Sequence, residues 1–150
     1  MDHPHEVAGK RVVDFASGSG IVAVAAMMAG AADVLAADID IFCRAATELN
    51  ATANAVPIAF TDLDLLDAPA PAWADVILAG DICYEKPLAA RVMDWLREAR
   101  AHGARVLIGD PGRSYFSEVG LVKLAEYQVE TTRELEDFAV KKTCVWTLAD

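Results

Sequence analysis

Basic residues are scarce in this sequence. Its 150 residues carry 13 Lys and Arg against 23 Asp and Glu, a formal net charge of −10. A chain that grips nucleic acid through phosphate contacts needs the opposite balance, so no nucleic-acid partner is expected. Cysteine is sparse as well. The three thiols, Cys43, Cys83 and Cys144, show neither paired nor metal-ligand spacing. That speaks against a disulfide scaffold and suits a reducing, cytoplasmic setting. Long apolar runs are missing, although 55% of the residues are hydrophobic. None approaches the ~18–20 residues of a membrane span. Residues 21–30 are apolar but too few. The opening "MDHPHEVAGK" lacks the basic-then-apolar order of a signal peptide. The acidic balance is compatible with a small cationic cofactor, with a protein partner presenting a lysine, or simply with solubility.

What is present is an alternation. "RVVDFA" (11–16), "DVLAAD" (33–38), "PIAFT" (57–61), "ADVILAG" (74–80) and "RVLIGD" (105–110) read as short buried strands. A small-residue helix is expected over 21–29, closed by Gly30, and a second over 42–50. Leu88, Val92, Trp95, Leu96 and Ala99 fall on one helical face, and His102–Gly103 ends that helix. "DPG" forces a turn after Asp110. A short helix is expected near Glu118–Ala125. Two extended stretches, 127–132 and 140–148, follow so closely that an antiparallel pair suits them better than a crossover. "DAPAPAW" (67–73) reads as a loop. One α/β domain over 1–150 is implied, with a mostly parallel sheet and helices on both faces. Ligands of such sheets bind beyond the carboxyl ends of the strands, so the strand exits are the places to search.

The first exit is "DFASGSG". Gly18 and Gly20 let the backbone turn sharply and approach a ligand, beside a helix start with free N–H groups. A ligand-free tight turn would need the same glycines. The second exit is "AADID". Asp38 is placed to accept ribose hydroxyls, and Asp40 to cap the next helix. The third, "TDLDLLD", offers Asp62 and Asp64 to an adenine amino group, or is a solvated acidic loop. The fourth is "GDICYE". A carboxylate at Asp81, just past a very apolar strand, is desolvated unless something pairs with it. With Tyr84 it suits a cationic or amine-bearing substrate; otherwise Asp81 caps a helix and Tyr84 packs.

Taken in order, "VVDFASGSGIVAVAA", "AADID", "WADVILAGDICYEKPLA", "VLIGDPGRSYF", "TTRELED" and a late "VWTL" resemble class I S-adenosylmethionine (SAM)-dependent methyltransferases. More narrowly, they resemble the lysine methyltransferases that act on the β-subunit of electron-transfer flavoprotein. The glycine motif is common to the superfamily; the Asp-x-x-Tyr signature at Asp81–Tyr84 and "GDPGR" are more specific. The resemblance implies a Rossmann-like fold with an antiparallel C-terminal strand pair. It implies SAM as cofactor and a protein lysine as acceptor. It assigns Asp14, Ala16, Gly18 and Gly20 to the cofactor loop, with Asp14 near the methionine amino group and Ala16 where glycine is usual. Asp38 takes the ribose. Asp64, with Asp62 second, takes the adenine, Gly80 belongs to the cofactor wall, and Asp81 and Tyr84 stand beside the substrate nitrogen. Relatives in this family carry a further segment before the first strand, with aromatic and glycine-containing elements that help close the site. That segment is absent from these 150 residues.

The reaction so implied is direct displacement. A free lysine, pKa ~10.4, is almost wholly protonated at neutral pH, so the site must favour the neutral amine and align it with the methyl–sulfur bond. No metal is needed. Two other classes compete. A dinucleotide-binding dehydrogenase is disfavoured by the acidic Asp14, where such fingerprints are apolar, and by the lack of a second catalytic domain. A non-catalytic binding module is favoured only by the absent segment.

Overall fold

The computed structural model describes residues 2–130 and 140–149. A 3-10 turn, Pro4–Glu6, precedes β1 (Arg11–Phe15), α1 (Ile21–Met28), β2 (Asp33–Ala37), α2 (Ile41–Ala53) and β3 (Ala59–Thr61). A second 3-10 turn, Leu65–Asp67, leads to β4 (Val76–Gly80), α3 (Lys86–Ala101), β5 (Arg105–Asp110), β6 (Leu121–Glu130) and β7 (Val140–Leu148). The strands form one sheet in the order β3-β2-β1-β4-β5-β7-β6. β1 through β5 run parallel, and β7 lies antiparallel to both β5 and β6. This is the Rossmann-like architecture expected, with its antiparallel C-terminal pair.

Alternation along the strands builds the two layers. Val12, Ala36, Val76 and Leu78 pack with Ala23 and Ala26 of α1. Their neighbours Val13, Phe15, Ile77, Ala79, Val106 and Ile108 turn the other way, onto Val92, Trp95, Leu96 and Ala99 of α3. Both faces of β4, and of β1 apart from Asp14, are therefore apolar, as a central parallel strand requires. The Phe15 and Trp95 rings lie 5.2 Å apart, and the Trp95 indole N–H donates to the Ala68 carbonyl at 3.2 Å. That bond satisfies a polar atom which would otherwise be desolvated in the core. α1 stops where Gly30, with φ 91°, adopts the left-handed turn that a helix C-terminus favours.

The helix expected near Glu118–Ala125 does not form. A turn ends at Gly120, φ 76°, and residues 121–130 are strand β6. The β-bulge between Lys123 and Ala125 interrupts the two-residue alternation, so Leu121, Leu124 and Ala125 stand at a spacing that mimics one helical face. Pairing with β7 from Leu121↔Leu148 onward supplies the hydrogen bonds that decide for strand. Part of the expected stretch 127–132, and all of "TTRELED" (131–137), lies outside the described residues.

Among the described residues no helix is long and apolar enough to cross a membrane. The chain reverses direction across the sheet between β1 and β4. This is the switch point beside which open α/β sheets bind ligands.

Candidate active site

At the β1 exit the backbone makes a left-handed series. Ala16, Gly18 and Gly20 have φ of 54°, 52° and 72°. Only glycine adopts this region at little cost, so Ala16 carries backbone strain at the point where the chain leaves the sheet. Gly20 is required twice over. A Cβ there would stand 2.6 Å from the Thr47 Oγ1 and 2.7 Å from its Cγ2, so α1 and α2 could not approach as they do.

Asp14 points to the α1 side of the sheet and is buried. Its Oδ2 accepts the Ala23 N–H at 2.9 Å, in the first turn of α1. Burial pushes its carboxyl up to about 7; the Ala23 bond opposes this and the Asp38 charge adds to it. An acid so placed is held near its neutral form until a cation arrives.

Asp38, just past β2, ties two turns together. Its Oδ2 accepts the Gly18 N–H at 2.8 Å and its Oδ1 accepts the Asp40 N–H at 2.9 Å. Each oxygen keeps a second lone pair for a further donor. Asp40 caps α2 through the Phe42 N–H at 2.9 Å, as expected. At the β3 exit the two candidate acids diverge. Asp62 is half-exposed and faces Arg44 at 3.5 Å, whereas Asp64 caps the 3-10 turn through Leu66 N–H at 2.9 Å and lines a pocket.

The β4 exit carries Asp81 in the left-handed region, φ 55°, with its N–H donating to the Gly109 carbonyl at 2.8 Å. Asp81 is half-exposed rather than desolvated, because it stands just outside the apolar strand, yet it is paired with Arg113. Nε and one Nη of its guanidinium reach the two Asp81 oxygens at 2.5 and 2.6 Å. Arg113 is delivered by Asp110, the buried last residue of β5, whose Oδ1 accepts the Gly112 N–H at 2.7 Å and the Arg113 N–H at 2.9 Å. Neither role was assigned from the sequence. "GDPGR" was visible as a motif, but the partner of its arginine lies 32 positions upstream.

Two pockets meet at Ala16. One, about 110 Å³, is lined by Asp38, Ile39, Leu63, Asp64, Ile82 and Tyr84 among others. The second, about 380 Å³, is lined by Asp14, Ser17, Gly80, Asp81, Gly109 and Pro111 among others. Together they reach the ~300–1,000 Å³ of small-molecule sites. Every residue assigned to the cofactor or substrate except Asp62, Gly18 and Gly20 lines one of them, and the two glycines shape the turn between them. Asp81 and Tyr84, four residues from one exit, turn to different pockets. Ser17, also missed, lies in the second pocket's wall with a buried Oγ that has no hydrogen-bond partner.

Residues 4–107 match the model of the ribosomal protein L11 methyltransferase (PrmA) family. The chain belongs to this family. It is also similar to the electron transfer flavoprotein beta subunit lysine methyltransferase of Xenopus laevis, 38% identical over 98% of this chain and 62% of that protein. The human protein of the same name is 37% identical over 97% of this chain and 58% of its own length. The chain thus spans about three-fifths of the relatives it matches. Among solved structures, the ribosomal protein L11 methylase of Lactobacillus delbrueckii has the same fold. It superposes with a TM-score of 0.61 at 23% identity, over 96% of this chain and 72% of that one. A methyltransferase-family core is accordingly what the two pockets are built on.

Proposed function

We propose that this chain is the cofactor-binding core of a SAM-dependent methyltransferase that modifies a protein lysine ε-amine, with the β-subunit of electron-transfer flavoprotein as acceptor. The observation that carries the reading is the ring of carboxylates, Asp14, Asp38, Asp64 and Asp81, drawn from consecutive strand exits onto two pockets joined at Ala16. Such a ring suits a ligand with a sulfonium and an ammonium at one end and a nucleoside at the other. The names of the relatives, and a magnesium protoporphyrin IX methyltransferase of Synechocystis solved with SAM and sharing this fold at a TM-score of 0.66, support the choice of ligand and of acceptor. A cytoplasmic location rests on three free thiols.

In this reading the nucleoside occupies the smaller pocket. Asp38 accepts the ribose hydroxyls with the lone pairs left after it has fixed Gly18 and Asp40. Asp64 faces the adenine, with Asp62 outside the pocket wall as the second candidate. The larger pocket would hold the methionine end, with Asp14 placed to face its ammonium. An ammonium there would stabilise the Asp14 carboxylate, so that the Asp14 proton would pass to solvent and an ion pair would remain. Gly80 has no side chain to block the methyl group. Asp81 receives the acceptor amine, and Tyr84 walls the smaller pocket rather than standing beside the amine. Bound SAM supplies an activated methyl group; the chain's own residues position both reactants and exclude water.

Calorimetric titration with SAM tests the cofactor site. Binding should be saturable, and Asp38→Ala should weaken it about 100-fold, the equivalent of ~2.7 kcal/mol. Unchanged affinity in the variant would remove Asp38 from the site. Methylation of recombinant electron-transfer flavoprotein β-subunit, read by mass spectrometry on intact lysines, tests the acceptor.

A further inference from the structure

Asp81 is the carboxylate on which the proposed transfer turns, and it is not offered to the substrate bare. Arg113 grips both of its oxygens in the parallel two-bond arrangement that fixes a guanidinium on a carboxylate. The loop does not leave this to a wandering side chain. Asp110, buried, pins the Gly112 and Arg113 N–H groups and aims the arginine back across β5 toward the β4 exit. The Asp81 side chain is 47% exposed and that of Arg113 39%, so the pair stands at the mouth of the larger pocket, reachable from outside.

A naked carboxylate is a poor host for a lysine that must react. It stabilises the ammonium form and raises the pKa of the very group that must be neutral. A guanidinium stays charged at any working pH, so beside Asp81 it cancels that attraction. The carboxylate oxygens still retain lone pairs that can accept an amine N–H and orient it. Among the described residues, the other titratable groups that face this pocket or act on its lining are acids and a thiol. Asp14 faces it from β1, Asp110 supports it from β5, and the Cys83 thiol beneath Asp81 is pushed up to about 11 by burial and by the Asp110 and Asp81 charges. β7 contributes the neutral Thr143 hydroxyl.

We infer that Arg113 is a positioning residue that neutralises Asp81, so that the acceptor lysine docks as a free amine rather than as a trapped ammonium ion. This rests on the lysine-methyltransferase reading above. In the step it serves, the Nζ lone pair forms a bond to the methyl carbon as the methyl–sulfur bond breaks. Sulfur keeps the electron pair, giving S-adenosylhomocysteine, and the methylated ammonium releases its proton to water.

The test is the pH dependence of kcat/KM for methyl transfer from SAM to the flavoprotein β-subunit, in the full chain and in Arg113→Gln, Arg113→Met and Arg113→Lys. SAM affinity and thermal melting serve as controls for the fold; Arg113→Met keeps the apolar stem should Gln lower stability. In the neutral variants the acid limb should move up by about one pH unit, with a roughly tenfold loss at pH 7 that is recovered at high pH. Arg113→Lys, which keeps the charge, should return the limb to its original place. A loss that is uniform across pH, or an unmoved limb in folded neutral variants, overturns the inference and leaves the methyltransferase reading standing. If the unsubstituted chain binds SAM but methylates no lysine, the reading and the inference fall together.

Discussion

The two halves of the site treat their carboxylates differently. At the exits of β1, β2 and β3, Asp14, Asp38 and Asp64 each give oxygens to backbone N–H groups of the turns around them. At the exit of β4, Asp81 gives both oxygens to a side chain from another loop. Backbone donors orient an acid without supplying a counter-charge, so among the described residues the first half has no built-in cation on these three acids, and burial holds Asp14 close to neutral until one arrives. A guanidinium cancels the charge it orients, so the second half offers a hydrogen-bond acceptor with little net field. A cationic cofactor wants the former, and an amine that must be neutral to react wants the latter.

The largest effect that could break this comparison is at Asp14. Its folded pKa, about 7, stands above the ordinary 3.8. A group raised in this way supports folding fully below the unfolded value, and the support is lost as pH rises through the folded value. Asp14→Asn keeps an acceptor for the Ala23 N–H and removes the titration. The variant should therefore gain stability relative to the parent between pH 4 and 7, on the order of 2–4 kcal/mol, while losing affinity for SAM. Urea unfolding of both chains at pH 4 and pH 8 measures the difference. A gap that is the same at both values would mean that Asp14 is not a buried, reluctant anion.

A somewhat smaller effect contrasts two glycines of one turn. Gly20→Ala must both strain a left-handed residue and displace the β-branched Thr47, so about 2–3 kcal/mol is expected in denaturant unfolding. Gly18→Ala meets open space and should cost only about 1 kcal/mol of backbone strain. Equal costs would show that α1 and α2 are not held together through Gly20.

The smallest effect lies in the second half. Asp110→Ala gives up two backbone hydrogen bonds but also removes an Oδ2 that is buried without a partner. These changes oppose each other, so stability should move by about 1 kcal/mol or less. The consequence should instead be seen in the pH profile of transfer, which should shift part of the way toward that of Arg113→Gln. A large loss of stability with an unmoved profile would make Asp110 a fold residue rather than a support for the arginine.

Much of this was legible beforehand, for local reasons. Val12, Val13, Ile77 and Val106 announced strands because a parallel strand buried on both faces has no polar alternation to hide it. Asp40 was recognised as a cap because capping needs only the next two residues. Asp38 was singled out because ligands of such sheets bind at strand ends, and it lines the smaller pocket. β6 was misread because one bulge makes a strand's apolar spacing look helical over a few residues. Asp81 could be singled out at a strand exit, but neither its exposure nor the identity of its partner was readable, because both depend on the β5 loop.

From the sequence alone came the order of the elements, the acidic character of the strand exits, and the glycine turn that leads out of β1. These follow from periodicity, charge and backbone freedom within a few residues of chain. Tertiary structure alone decided that Asp14 is buried and its carboxyl pushed up, which carboxylates face a common pocket, and that Arg113 lies on Asp81. Those depend on burial and on groups far apart in sequence, brought together only when β4 and β5 pair side by side.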